Sequence, residues 1–459
     1  MQRYAGDQRE VAAGQVAIKA AANEPCDEAC DAAAAAMWTM LTSGLRALSL
    51  SIAVPPPAAS SRVARLVDAS AYARAKRQAT SESWPHKLEV DAFLSRAGLM
   101  GGDDASCSTV PGVGSDSPQP PVVLDVRAPC EYEKGHLPGA VSFPLFDDDE
   151  RAEVGTLYKQ RGHDVAVSRG IEILDAKAPT FLDALPPRVQ PGDELLVYCK
   201  RGGMRSGGMA WLLSQGDLRV HTLEGGYQGF RAWANATWQL PRRLVVLGGK
   251  TGSGKTDVLH ALRRQGAQIL DLEGDARHRG SAFGALGRAP QPSNQAYENA
   301  LALQWRRFDA AAGPVYIEDE SRNVGSCSVP DGLWGRMRDP ETAVLRLEVP
   351  TEARVQRLVG EYGVYEPRQL QACVRMVQKR LGEAKADELC ALLDEEPPAL
   401  ARVAEALLVD YYDAMYDYQA GKRTAETDGG ARIRHLRTGT GDADAIAQLV
   451  LQAAEEHGF

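Results

Sequence analysis

Hydrophobic positions along the chain fall into short solid runs separated by longer stretches with helical spacing. The run Glu194 to Tyr198 predicts a buried strand, and Ser206 to Gln215 predicts a helix that stops before Gly216. Val122 to Val126 has the same solid apolar character; turn residues Gly135 to Ala140 follow, and Val141 to Phe143 resumes an extended pattern. Residues 244 to 262 open on another apolar strand and close on a helix, and Pro314 to Ile317 predicts a further strand that runs into Glu318-Asp319-Glu320-Ser321. Residues 291 to 301 lead into an amphipathic helix carrying Leu301, Trp305 and Phe308. Segment 88 to 98 predicts a short amphipathic helix, and Gly101 to Pro121 a surface loop rich in Gly, Ser and Pro. Strands alternating with helices indicate an α/β chain with parallel sheets.

Composition narrows this picture. The 459 residues suffice for about three domains, each able to bury its own core. A net charge of −9 argues against a generally cationic nucleic-acid coat. Basic clusters occur at Lys200 to Arg205, Arg242-Arg243, Arg263-Arg264 and Arg277-His278-Arg279, and the doublets fit solvated faces. Eight cysteines lack the spacing of a disulfide scaffold or a zinc site, which points to a reducing, intracellular setting. No apolar run reaches the roughly 18 residues of a membrane span; Arg46 breaks the best candidate, so no membrane association is expected. Residues 1 to 87 read as an N-terminal extension, disordered or targeting: alanine-rich, broken by Pro55-Pro56-Pro57, and over 37 to 87 rich in Arg, Ser and Ala. That composition leaves either the cytoplasm or an organelle, mitochondrion or plastid, as the expected location.

Chemistry concentrates at two loops. Cys199 ends the predicted strand, and Lys200-Arg201-Gly202-Gly203-Met204-Arg205 separate it from the helix. Glycines let several backbone N–H groups point inward, while three cations and a helix N-terminus favour a thiolate or a bound anion. The alternative is a buried structural cysteine beside a tight turn; a thiol sealed in apolar packing would count against a nucleophilic role. Cys130 could resolve a persulfide or disulfide at Cys199, although nothing in the sequence establishes it. The second loop, Gly249 to Thr256, has the spacing GxxxxGKT between a strand and a helix. There the amides of Gly249, Gly252, Ser253 and Gly254 with Lys255 would hold a diphosphate or triphosphate, and Thr256 would meet magnesium. An acid ending a buried strand orients the ion in such folds, which makes Asp319 or Glu318 the second ligand, Asp319 being preferred. Residues 269 to 284 contribute Glu273, His278, Arg279 and Ser281 as candidates to face the substrate.

The segment Asp125-Val126-Arg127 with Gly135 to Ala140, then Cys199 and Leu223 to Gly226, resembles a rhodanese domain. In it Asp125, Arg127 and His136 fit framework better than chemistry. Rhodaneses carry sulfur or selenium on the loop cysteine; related cysteine phosphatases share the loop length here, with Arg205 six positions after Cys199. A Cys-x-Arg-Gly-Gly-x-Arg-Ser loop followed by a P-loop domain with Leu-Asp-Leu-Glu-Gly, His-Arg-Gly-Ser and Gln-Pro-Ser resembles the tRNA 2-selenouridine synthases over residues 122 to 330. The resemblance implies a rhodanese-like domain at 88–240, a P-loop NTPase-like parallel-sheet domain with helical elaboration at 241–420, and a C-terminal tail and helix at 421–459. It also implies a transferase that replaces sulfur by selenium at a wobble 2-thiouridine in the anticodon arm of tRNA. Geranyl diphosphate would alkylate the sulfur and selenophosphate would supply selenium. Cys199 would be the nucleophile, and Lys200, Arg201, Gly202, Gly203 and Arg205 would bind selenophosphate. Magnesium on Thr256 and Asp319, ATP or GTP in the P-loop, and an enzyme producing selenophosphate as partner belong to the same expectation. Alternatives are a rhodanese-type phosphatase or sulfurtransferase, and a non-catalytic P-loop adaptor.

Overall fold

The computed structural model describes residues 86–100, 119–418, 433–456 and 458. The expected N-terminal extension and nearly all of the Gly/Ser/Pro loop lie outside the described residues. The chain divides into two compact units, the first ending at Trp233 and the second running from Ala234.

The first unit is built on a five-stranded parallel sheet. In chain order its elements are β1 (Lys87–Leu88), α1 (Val90–Arg96), β2 (Val122–Asp125), α2 (Pro129–Lys134), β3 (Val141–Ser142), α3 (Asp148–Arg161), α4 (His163–Phe181), β4 (Glu194–Tyr198), α5 (Met204–Ser214), β5 (Arg219–Leu223) and α6 (Gly226–Thr237). The strand order is β1-β5-β4-β2-β3. Central β4 pairs Leu195–Tyr198 with Val122–Asp125 of β2 on one side and Glu194–Val197 with Arg219–Thr222 of β5 on the other. Helices cover the sheet, so Leu195 to Tyr198 are buried at every position, which accounts for the unalternating apolar run. Asp147 caps α3 by accepting the Glu150 N–H while Glu150 reaches back to the Asp147 N–H, a reciprocal arrangement that fixes where the helix starts.

The second unit has a five-stranded parallel sheet of order β12-β11-β6-β8-β7. Its strands are β6 (Leu244–Gly249), β7 (Gln268–Leu270), β8 (Val315–Glu318), β11 (Ala343–Glu348) and β12 (Ile433–Arg437); β9 (Asn323–Val324) and β10 (Cys327–Ser328) form a separate antiparallel pair. Helices are α7 (Lys255–Arg264), α8 (Leu272–Ala276), α9 (Asn294–Arg307), α10 (Asp331–Arg338), α11 (Thr351–Tyr362), α12 (Pro367–Leu381), α13 (Glu383–Leu393), α14 (Leu400–Leu407), a π-helical turn at Leu408–Asp413, and α15 (Ala443–Glu456). Two of its apolar cores bear on the site. Val245, Leu247, Leu259, Leu262 and Leu345 join Ile446 and Val450 of α15 in one. Phe283, Leu370, Leu389, Leu393, Val403 and Leu407 form the other, among the helices after β11. Each such fully buried side chain contributes about 1.5–3 kcal/mol. Residues 433–456, expected as a tail and helix, are built into sheet and core.

Candidate active sites

Cys199 leaves the carboxyl end of central β4, where an open parallel sheet presents ligands. The following loop is clasped by the turn after β5. Gly202 has φ +64, and a Cβ there would stand 2.4 Å from the Leu223 carbonyl oxygen; Gly226 has φ +56, and its Cβ would stand 2.3 Å from Gly202 N. Backbone meets backbone at both positions, so only glycine fits. The carbonyls of Cys199 and Lys200 accept the N–H groups of Tyr227 and Gln228 at the start of α6, both at 2.8 Å. Planar trans peptides therefore turn the Lys200 and Arg201 N–H groups away from α6. Arg201 reaches out to donate to Gln228.

Two placements differ from a plain nucleophile-and-anion cradle. Cys199 has no exposed surface; its sulfur packs in the core of the first unit, 3.3 Å from Ser206 Oγ. Helix α5 starts at Met204 rather than Ser206, which carries Arg205 inward. Arg205, 3% exposed, donates to Glu131 Oε2 at 2.9 Å, and Arg151 approaches the same oxygen at 3.3 Å. Burial alone would raise the Glu131 pKa, but Arg205, Arg151 and Arg127 outweigh it and hold the carboxyl below the usual range. Arg205 thus already carries an anion. Cys130 is no ready resolving thiolate: burial and the neighbouring Asp148 push its thiol up to about 11.

The framework residues behave as the rhodanese resemblance implies. Arg127 grips Asp125 and donates to the Gly135 carbonyl, and the Tyr198 hydroxyl donates to Asp125. His136 stacks on Tyr132 with ring centroids 3.8 Å apart.

In the second unit, Gly249 to Thr256 leave the middle strand and enter α7. Gly254 has φ +76, and a Cβ would fall 2.5 Å from the Arg357 guanidinium. Lys255 donates to the Gly249 carbonyl, and Glu320 and Glu273 raise its pKa against the opposing pull of burial. Thr256 Oγ1 donates to Glu273 at 3.0 Å. Burial first, then Glu320, pushes the Glu273 carboxyl up to about 8, and burial likewise raises Glu318 and Glu320. Asp319 lines the cavity but accepts from Arg338 at 3.0 Å, whereas Glu320 sits with Glu273 around Gly280. Among the described residues, no group of three or more His, Cys, Asp or Glu is arranged to hold a metal. Magnesium commonly takes one or two protein carboxylates and completes its shell with phosphate oxygens and water, so Thr256 and Asp319 fit it only alongside a bound diphosphate.

Around the P-loop lies a cavity of about 550 Å³. Of the four candidates to face the substrate, Glu273, Arg279 and Ser281 line it; His278 does not, and its Nδ1 accepts the Gly280 N–H of its own loop. Arg279 is held by Glu361 at 2.5 Å. Gln291 of the Gln-Pro-Ser segment is a clasp, donating to the Ala276 and Val324 carbonyls and accepting from Ser326. Leu358, Tyr362, Tyr412, Met415 and Tyr416 give the cavity an apolar wall that the sequence alone did not reveal. Arg354 braces this wall: it donates to the Thr251 carbonyl at 2.8 Å and grips Asp413 with both terminal nitrogens. The tyrosine-rich run at 411–418 was the available signal, with Tyr412 and Tyr416 one helical turn apart. Beside the cavity lies a smaller apolar pocket of about 70 Å³ among α11, α12, α13 and α14.

Comparisons with known proteins follow the same division. Residues 114–233 match the rhodanese-like domain, and residues 242–435 match the tRNA 2-selenouridine synthase AAA domain. The tRNA 2-selenouridine synthase of Bordetella bronchiseptica is 38% identical over 340 residues, 66% of this chain and 89% of that protein. Those of Shewanella halifaxensis and Pseudomonas entomophila are 35% and 36% identical, again over about two thirds of this chain and 89% and 86% of theirs. These relatives are bacterial and lend no support to an organellar location. Among the described residues no helix is long and apolar enough to cross a membrane.

Proposed function

The chain belongs to the tRNA 2-selenouridine synthase family, and from that premise we propose that it replaces sulfur by selenium in a wobble 2-thiouridine of tRNA in two stages. In the first, the thiocarbonyl sulfur attacks C1 of geranyl diphosphate. A C–S bond forms, the C1–O bond breaks with its electron pair going to diphosphate, and the N3 proton is released. In the second, the selenium of selenophosphate adds to C2 and geranylthiol leaves with a proton; water then cleaves the Se–P bond, giving phosphate and the selenouridine. Alkylation makes sulfur a better leaving group, which is why the order matters.

The observation that carries this reading is the lining of the P-loop cavity. Lys255 and the Gly249–Thr256 loop line it together with the hydrocarbon of Leu358 and Met415 and the rings of Tyr362 and Tyr412, a mixed lining that suits an organic diphosphate with a hydrocarbon portion. Lys255 and the loop amides would take up the charge that develops on the departing diphosphate. A magnesium ion held by Thr256 and Asp319 would add to that stabilisation when bound. ATP or GTP would fit the cradle but would leave the apolar wall without a role.

The rhodanese unit binds selenophosphate in this scheme, with Lys200, Arg201, Gly202 and Gly203 as the anion-binding face and Cys199 as the C2-attacking group: its thiolate adds to C2 and expels geranylthiol, and the selenium of selenophosphate then displaces that thiolate at C2, which gives the net exchange above. Since Cys199 is buried, reaction at its sulfur requires the packing around it to open. A phosphatase is the weaker reading, because it needs an open cysteine and an unengaged arginine, and Arg205 is committed to Glu131. Selenophosphate would come from an enzyme that makes it.

Mass spectrometry of nucleosides from thiolated tRNA incubated with protein, geranyl diphosphate and selenophosphate tests the proposal; unchanged 2-thiouridine would refute it. Lys255→Ala should cut S-geranylation at least about a hundredfold, and Cys199→Ser should abolish selenation while geranylated nucleoside accumulates. Selenation at the parent rate by Cys199→Ser would reduce the rhodanese loop to a binding site.

A further inference from the structure

The apolar pocket among α11–α14 shares Thr251, Ser281, Leu358, Tyr362 and Tyr412 with the P-loop cavity, so the two abut through one wall. Its other walls are hydrocarbon or backbone: Phe283, Val359, Gly363, Leu370, Leu393, Leu400, Val403, Ala404 and Leu407 account for the rest of the lining. Leu370, Leu393, Val403 and Leu407 also belong to the buried helical core. A purine placed there would find polar partners only among the hydroxyls of the shared wall, Thr251, Ser281, Tyr362 and Tyr412, and none from the other nine residues, whereas a hydrocarbon needs none. Because a water-sized group needs about 10–15 Å³ of such space, the pocket's volume of about 70 Å³ holds roughly five atoms of that size.

We propose that this pocket receives the distal five carbons of an allylic diphosphate, the proximal five crossing the shared wall, and that Leu400 and Ala404 set the chain length at ten carbons. The proposal rests on the P-loop taking a prenyl diphosphate and adds where the chain lies and what measures it. Leu400 lines the pocket from the first residue of α14 and is only partly buried, so changing it perturbs the ligand more than the fold. Ala404 stands one turn further along the same helix. Tyr362 and Tyr412 belong to the wall common to both cavities, so a chain that spans them would lie against aromatic rings.

The test compares dimethylallyl, geranyl and farnesyl diphosphates, scoring S-prenylated nucleoside in thiolated tRNA by chromatography and mass spectrometry. Leu400→Ala should raise the farnesyl-to-geranyl ratio by about tenfold or more; Leu400→Phe, and independently Ala404→Leu, should cut geranyl transfer by about tenfold while sparing dimethylallyl transfer. Thermal melting identifies any variant that fails to fold, and the remaining two then decide. Geranyl transfer with unchanged chain-length ratios in the folded variants would overturn the pocket assignment and leave the transfer reading standing. If the parent transfers no prenyl group, calorimetry separates the two ideas. Geranyl diphosphate should then still bind at least about tenfold more tightly than inorganic diphosphate, an increment lost in Leu400→Phe; equal affinities would show a packing defect only.

Discussion

Replacing Glu131 by Gln would leave the Arg205 guanidinium buried beside a neutral amide. In the parent, Glu131 Oε2 accepts from Arg205 at 2.9 Å and from the Ala128 N–H at 3.2 Å, with Arg151 at 3.3 Å. Breaking a buried pair by removing one partner costs about 3–5 kcal/mol, because the surviving charge is uncompensated. The amide oxygen of Gln can still accept the Ala128 N–H, which places Glu131→Gln at the lower end, about 3 kcal/mol. Hydrogen exchange at the β4 amides 195–198 reads this, since those groups exchange only when the first unit opens; protection should fall by roughly a hundredfold. The pH dependence supplies a sign. The folded Glu131 pKa lies below its unfolded value, so its contribution is complete above the ordinary glutamate value of about 4.3 and is lost as pH falls through the lower folded one. The variant should lack that acid limb. Phosphate or thiophosphate should restore protection if an anion can take the carboxylate's place on Arg205. A loss under about 1 kcal/mol in the absence of added anions would refute the view that Glu131 holds this arginine.

The P-loop unit yields two further expectations. The folded Glu273 pKa, about 8, is above the unfolded value, so burying its charge weakens the unit as pH rises from about 4.3 towards 8; Glu273→Gln should flatten that decline and, at pH 8, exceed the parent by at least about 1 kcal/mol in urea unfolding. A variant less stable than the parent at pH 8 would contradict it. Asp413→Asn should halve the grip on Arg354 and, through the Thr251 carbonyl, weaken diphosphate binding by about tenfold as measured by calorimetry; unchanged affinity would show that the brace does not shape the loop.

Much of this molecule is legible in its sequence because its two loops are local. Strand, glycines and helix lie within some fifteen residues of one another at Cys199 and at Lys255, and parallel strands buried on both faces announce themselves as solid apolar runs. What escapes is set by contacts between distant segments. Glu131 lies 74 residues before Arg205, so nothing near the loop discloses that this arginine is committed. That Asp319, the preferred magnesium ligand, already accepts from Arg338 is equally hidden, because Arg338 arrives from α10. His278 looks accessible in a polar run yet turns back on Gly280, and Tyr412 and Tyr416 reach the P-loop only because the π-helical turn brings them there.

Strand β12 completes one edge of the second sheet by pairing Ile433–Arg437 with Val344–Glu348, and α15 adds Ile446, Val450 and Ala454 to the core beneath α7. During synthesis these pieces emerge after every other described strand and helix of the unit. The nascent second unit must therefore wait with β11 and one face of α7 uncovered, while the first unit already has every described strand of its sheet. A chaperone or a slow stretch of translation would matter at that interval, and a chain cut before residue 433 would cost the second unit its closure and spare the first.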